Sequence, residues 1–315
     1  MKTTITESMK AQTFGIEIEC YHITRENAAK AAAEFFGNHS ASYTGYRNGY
    51  YTWSALDQQG REWKFSRDVS ISAACDEEKC EMVSPILTYG DIELLQELVR
   101  ALRKAGARSN PQHGCGVHIH IGAAGHTPQS LRNLANIMAS HESLIAEALK
   151  ISRARMGHYC KVINPEFINA VNAKKPKTMA DFAEVWYTAN HATYGRNEHY
   201  NDSRYHMLNY HATFTKGTIE FRLFQFDNPT PNGRMGGLHA GAVKAWVQFC
   251  MALSQQAKET TKASPKQPQH ENPKYAMRVW LIRLGLNGEE FSTLREIFTK
   301  NLTGDAAFRN GRRGA

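Results

Sequence analysis

The chain has 315 residues, 42% hydrophobic and 22% charged, with a formal net charge of +8 at pH 7. No run of about 18 apolar residues occurs, which excludes a transmembrane helix, and MKTTITESMKAQ at the start lacks the apolar stretch of a secretion signal. Six cysteines scattered without a disulfide-rich pattern point to a reducing, cytoplasmic setting. The first element is Phe14-Gly15-Ile16-Glu17-Ile18-Glu19-Cys20. Its period of two predicts a strand with Ile16 and Ile18 on one face and Glu17 and Glu19 on the other. At a rise of about 3.3 Å per residue, the two glutamate Cα atoms lie roughly 7 Å apart. Like charges on one face repel, and each raises the other's pKa where the site is dry. A hard divalent cation, Mg²⁺ or Mn²⁺, relieves that repulsion through oxygen ligands. An exposed edge strand with solvated glutamates fits the same pattern.

Thr24 is placed to cap a helix over 25–36, stopped by Gly37. Residues 38–67, with turn signals at Arg47-Asn48-Gly49 and Gln58-Gln59-Gly60, predict an aromatic hairpin. Tyr43, Tyr46, Tyr50, Tyr51, Trp53 and Trp63 suit cross-strand packing, or stacking on a base. Residues 73–80 read as a short acidic loop, and Glu81 opens a strand that runs to Pro85. Ile92, Leu95, Leu98, Val99 and Leu102 have helical spacing over 91–105, ended by Gly106. Asn110 to Gly114 form a turn into Cys115-Gly116-Val117-His118-Ile119-His120-Ile121-Gly122, a strand that puts His118 and His120 on one face.

Pro128 starts a long helix to about Lys150, and Arg153 and Arg155 follow it. A further helix is expected around 179–190. The stretch Arg204 to His211 reads as an antiparallel strand that turns at Lys216-Gly217 into Ile219-Glu220-Phe221-Arg222-Leu223-Phe224. There a carboxylate and a guanidinium share one face of an apolar run, and buried charges need partners. A helix over 237–255 is opened by Gly236-Gly237. The expected organisation is a catalytic region over 1–255, a polar flexible linker over 256–274, two helices within 275–302 and a basic tail over 303–315.

Three apolar strands thus carry an ionisable pair at i and i+2. With E-M-V-S-P-I-L at 81–87, the motifs G-I-E-I-E, C-G-V-H-I-H and T-I-E-F-R-L-F run in an order that resembles the amidoligase family. That family is similar to glutamine synthetase and γ-glutamylcysteine synthetase, the carboxylate–amine ligases. The resemblance covers about residues 13–255. It implies an α+β fold: a curved, mostly antiparallel sheet with helices on its outer face, like the glutamine synthetase catalytic domain.

It further implies an ATP-dependent reaction through an acyl phosphate at two or three Mg²⁺ or Mn²⁺ ions. Glu17, Glu19, Glu81, His118 and Glu220 would be the metal ligands. Arg222 would hold a phosphate or substrate carboxylate, with Glu220, Arg153 and His120 also in catalytic roles. Asp68, Ser70, Arg155 and Asn209 would face the nucleotide. The partners implied are an amine and a carboxylate: an amino acid, a peptide or a modified base. No P-loop or Gly-x-Gly-x-x-Gly pattern occurs.

Two other classes stay open. His-x-His on a strand can bind zinc, which would make His118 and His120 part of a hydrolase. A structural zinc site from Cys75, Cys80, Cys115 and His113 or His118 is the variant of that reading. The lysines of 258–274 and the C-terminal arginines suit a nucleic-acid partner, and equally a solvated surface.

Overall fold

The computed structural model describes residues 5–45, 49–228 and 237–309. Tyr46, the Arg47-Asn48 turn signal, Gly236 and the last six residues of the expected basic tail lie outside them. The elements in chain order are α1 (Ile5–Lys10), β1 (Thr13–Cys20), α2 (Arg25–Phe35), β2 (Ala41–Gly45), β3 (Thr52–Leu56), β4 (Glu62–Ser66), β5 (Cys80–Val83) and β6 (Leu87–Thr88). After them come α3 (Ile92–Lys104), β7 (Val117–Gly122), α4 (Pro128–Leu149), α5 (Arg153–His158), α6 (Pro165–Lys174) and α7 (Met179–Ala189). The last are β8 (Leu208–Asn209), α8 (His211–Thr215), β9 (Thr218–Phe224), α9 (Ala240–Glu259), α10 (Pro273–Arg283) and α11 (Ser292–Thr299). The α+β expectation is borne out, and the strand pairs whose register is defined are antiparallel. Among the described residues no helix is long and apolar enough to cross a membrane.

Two compact units divide the chain: Thr13–His120 with Leu223–Lys244, and Met1–Gln12 with Ile121–Arg222 and Ala245–Ala315. In the first, the strands run in the order β2-β3-β4-β5-β1-β7, and β6 pairs with the start of β1. Alternation fixes the two faces of this sheet. Ile16, Ile18, Trp63, Phe65, Cys80 and Met82 are buried, with Phe65 opposite Met82 and Met82 opposite Ile18. The helix α2 packs over β2, β3 and β4, with α3 beside it, and Phe36 at its end meets Trp63 at 5.7 Å. Thr24 caps α2 by accepting the Asn27 N–H. The five apolar positions expected to face inward on α3 are all buried. The opposite face of the sheet carries Glu17, Glu19 and Glu81. Tyr43 and Trp53 pair across β2 and β3 with ring centroids 5.5 Å apart, the cross-strand use expected of the aromatic hairpin.

In the second unit α4 is the central element. Thr127 caps it and Lys150 ends it in a left-handed conformation. Phe167, Phe182, Trp186 and Tyr210 pack edge to face around α6 and α7, and the Tyr210 hydroxyl donates to Leu131 O at 2.7 Å. The helices α10 and α11 close the other flank of α4, where His141 stacks on Trp280 at 3.8 Å. The expected strand over 204–211 is only two residues long. Leu208 pairs with Phe221 and Asn209 with Glu220. Asn209 then accepts the His211 N–H on its own side chain, which turns the chain into α8.

The helix α9 continues to Glu259. Residues 260–267 then lie along α4. Asn133 accepts the Ala263 N–H and donates to Thr260 O, Asn136 donates to Ala263 O, and Gln129 donates to Thr261 O.

Glu142 on α4 is 3% exposed and accepts the Ile163 N–H at 2.7 Å. Burial pushes its carboxyl up to about 7, an effect the Ile163 hydrogen bond partly offsets. The folded state therefore holds this proton more tightly than the unfolded chain. The stability it confers is complete below pH 4.5 and is lost as pH rises through 7, on the order of 3 kcal/mol in all. Glu142→Gln keeps the acceptor and removes the titration. Its melting temperature should exceed that of the wild type by a margin that widens from pH 5 to pH 8. A constant margin would place the titration elsewhere.

Candidate active site

The polar face of the first unit's sheet gathers four carboxylates and two imidazoles. Antiparallel register sets Glu19 directly opposite Glu81, and Glu81 opposite Ser66. β7 lies on the other side of β1, where His118 Nδ1 is 3.1 Å from Glu17 Oε2 and His118 Nε2 is 3.6 Å from Glu19 Oε1. His120 Nε2 lies 3.3 Å from Glu17 Oε1. The Gly116 N–H donates to the other Glu19 oxygen. Glu19, His118 and His120 are buried, while Glu17, Asp68 and Glu81 are half-buried.

Asp68 reaches this face from the loop after β4, where it accepts the Ser70 N–H at 2.7 Å. That loop is pressed against the turn before β7. A Cβ on Gly114, whose φ is 77°, would stand 2.7 Å from Ser70 O, so only glycine lets the two segments approach this closely.

Drawn wholly from this unit are two sets of ligand atoms, each within 4.8 Å of one another: Glu17, Glu81 and His118; and Glu19, Asp68 and Glu81. Both contain Glu81. Carboxylates this close repel one another unless a cation lies among them. The donors are mostly hard oxygens, so the residues fit Mg²⁺ or Mn²⁺. The zinc expectations fit less well. Among the described residues His118 and His120 do not fall in one such set, and no set contains a cysteine. His113 instead stacks on Tyr21 at 3.7 Å and places Nδ1 2.7 Å from Ser72 O. Cys20 and Cys80 are buried, and burial pushes both thiols up, Cys80 to about 12, so they stay protonated.

The second unit holds the other predicted residues. Arg222 Nη1 donates to Glu220 Oε1 at 2.5 Å, and Asn209 Nδ2 donates to Glu220 Oε2 at 2.6 Å. Arg155 Nη2 donates to Arg222 O at 3.1 Å, and the Arg222 guanidinium lies 5.8 Å from the Tyr205 ring centroid. All four predicted side chains are at most 4% exposed. Arg153 is exposed on α5 and joins none of these bonds. Ser70 meets the carboxylate face through its backbone bond to Asp68.

The sequence reading passed over Tyr205, which packs on Arg222, and His211, which is wired into the same segment. The Tyr187 hydroxyl donates to His211 Nδ1 at 2.8 Å, and His211 Nε2 donates to Glu198 O at 2.9 Å. Burial lowers the His211 pKa and leaves the imidazole neutral, and it pushes the Tyr187 phenol up to about 12. The only sequence signal was the run of aromatic and histidine residues between Arg204 and His211.

The profile of a family described as "Putative amidoligase enzyme" matches residues 10–254. The chain belongs to the amidoligase family. The family is one of carboxylate–amine ligases, and its match covers all four strand motifs, from Glu17 through Arg222. Among solved structures, a bifunctional glutathione synthetase from Pasteurella multocida is similar at 12% identity with a TM-score of 0.43. The match covers 94% of the amidoligase chain and 48% of the synthetase chain, so the chain spans about half the length of that protein. No curated protein matches.

Proposed function

We propose that the chain is an ATP-dependent carboxylate–amine ligase that activates its acid as an acyl phosphate. The observation that carries this reading is the pair of oxygen-rich ligand sets sharing Glu81 on one sheet face. A carboxylate and an amine do not condense in water unaided. Transfer of a phosphoryl group from ATP to the acid supplies a leaving group, and the amine then displaces phosphate. Both steps gather charge on phosphoryl oxygens, so catalysis is mainly positioning and electrostatic stabilisation.

Glu17, Glu81 and His118 would hold one divalent cation, and Glu19, Asp68 and Glu81 a second. When bound, such ions neutralise charge on phosphoryl oxygens. The protein groups orient the ligands. The Gly116 N–H fixes Glu19, and the His118 Nδ1 contact at 3.1 Å orients Glu17. Arg222, held by Glu220, is the fixed cation for a phosphate or carboxylate group, and Asn209 and Arg155 hold that pair in place. Glu220 is the candidate catalytic carboxylate beside it.

The test is calorimetry of ATP binding with Mg²⁺ and with chelator, followed by ADP release on addition of candidate amines and acids. Binding is expected only with Mg²⁺. Absence of binding under both conditions would overturn the ligase reading and leave the fold assignment intact.

A further inference from the structure

Of the carboxylates in the set Glu19, Asp68 and Glu81, two stand on paired strands and one does not. Register holds Glu19 opposite Glu81. Asp68 lies in the loop between β4 and β5, and like charges gathered within 4.8 Å repel one another. A loop carboxylate without anchors would swing away from the other two.

This loop is anchored on both sides of Asp68. Before it, the Arg67 N–H donates to Tyr50 O at 2.7 Å, and the Arg67 guanidinium lies 2.7 Å from the Asp76 carboxylate. After it, Ser72 and His113 exchange two hydrogen bonds. The Ser72 N–H donates to His113 O at 2.9 Å, and His113 Nδ1 donates to Ser72 O at 2.7 Å. His113 is in turn held by two neighbours. Its ring lies flat on that of Tyr21, with centroids 3.7 Å apart and planes 8° from parallel. Asn110, 1% exposed, accepts the His113 N–H on Oδ1 at 3.3 Å and donates from Nδ2 to the Tyr21 hydroxyl at 2.8 Å. Tyr21, Asn110 and His113 thus close a ring of contacts. Tyr21 follows Glu19 by two residues, and Ser72 follows Asp68 by four. The path from Tyr21 through His113 to Ser72 therefore ties the strand that carries one ligand to the loop that carries another.

We propose that Tyr21, Asn110 and His113 form a clasp that sets Asp68 against Glu19 and Glu81, with His113 as a positioning residue of the second cation site. The proposal rests on the ligase reading for the cation, and on these contacts for the clasp. Because His113 acts through Asp68, its loss should matter only where Asp68 can hold a cation.

The test is Mn²⁺ titration by calorimetry on the full chain, with thermal melts in chelator to show which variants fold. His113→Ala should weaken Mn²⁺ binding about tenfold or more, the usual cost of losing a group that orients a metal ligand. His113→Asn keeps an N–H donor near the place of Nδ1 and should recover part of that loss. Paired with Asp68→Asn, His113→Ala should change the remaining Mn²⁺ affinity by less than about twofold, because its route to the cation is already gone.

Wild-type Mn²⁺ affinity in folded His113→Ala overturns the clasp. So does an equal loss with and without Asp68→Asn, which would mark a general loosening of the unit. A wild-type chain that binds no Mn²⁺ removes the ligand sets themselves, and the clasp with them. Mn²⁺ binding that ignores His113 removes the clasp alone.

Discussion

Glu81→Gln should fold and lose high-affinity Mn²⁺ binding at both ligand sets together, with a drop of roughly a hundredfold or more. The magnitude follows from the ligand's position. Loss of a group that merely orients a metal ligand costs about 10- to 100-fold in affinity, and Glu81 belongs to both sets. Asp68→Asn should weaken one set only, because Asp68 belongs to one. A second readout runs in the opposite direction. Glu19 and Glu81 are directly opposed across β1 and β5, and like charges in that relation destabilise a sheet. In chelator, Glu81→Gln should therefore melt at or above the wild-type temperature. Mn²⁺ titration by calorimetry and thermal melts on the same samples check both. Unchanged Mn²⁺ affinity in folded Glu81→Gln would remove the carboxylate face from the reaction.

Arg222→Met should destabilise the protein by about 3–5 kcal/mol in denaturant titration, the cost of leaving a buried charge without its counter-ion. The side chain of Arg222 is 5% exposed and that of Glu220 3%, so water cannot take the place of the lost guanidinium. The double variant Glu220→Gln/Arg222→Met should recover most of that loss, since neither charge then remains. Glu220→Gln alone keeps an oxygen acceptor for Arg222 but leaves the buried guanidinium charge uncompensated. It should lose stability by a comparable amount while remaining folded, yet abolish ATP turnover. Loss of turnover in a protein that still folds separates a catalytic carboxylate from a structural one. Wild-type turnover in folded Glu220→Gln would assign the pair to architecture alone.

The faces of the strands were legible because a period of two leaves little choice. Once Ile16 and Ile18 are buried, Glu17 and Glu19 must point the other way, and the same holds for His118 and His120 against Val117 and Ile119. The α3 stripe was legible for the corresponding helical reason. What a linear pattern does not contain is register. Nothing in E-M-V-S-P says that Glu81 stands opposite Glu19, and that pairing makes one carboxylate common to two ligand sets. Asp68 came from family resemblance, not from pattern, because its position depends on a loop that seats against Gly114. The stretch from Arg204 to His211 was misread in length. Its alternation continues past the point where the Asn209 side chain captures the His211 N–H and bends the chain away. Local side-chain bonds of this kind leave no periodic trace.

The segment after α9 has a consequence for how such chains diverge. Its composition is that of a tether, and the information that locates it sits elsewhere, on Gln129, Asn133 and Asn136 of α4, which bond its peptide groups. A backbone held through its amides and carbonyls can exchange nearly any side chain and keep its path. Homologues should therefore drift freely in this stretch while retaining amide side chains at those three helix positions. An alignment scored on the stretch itself would miss a tie that is written entirely on its neighbour.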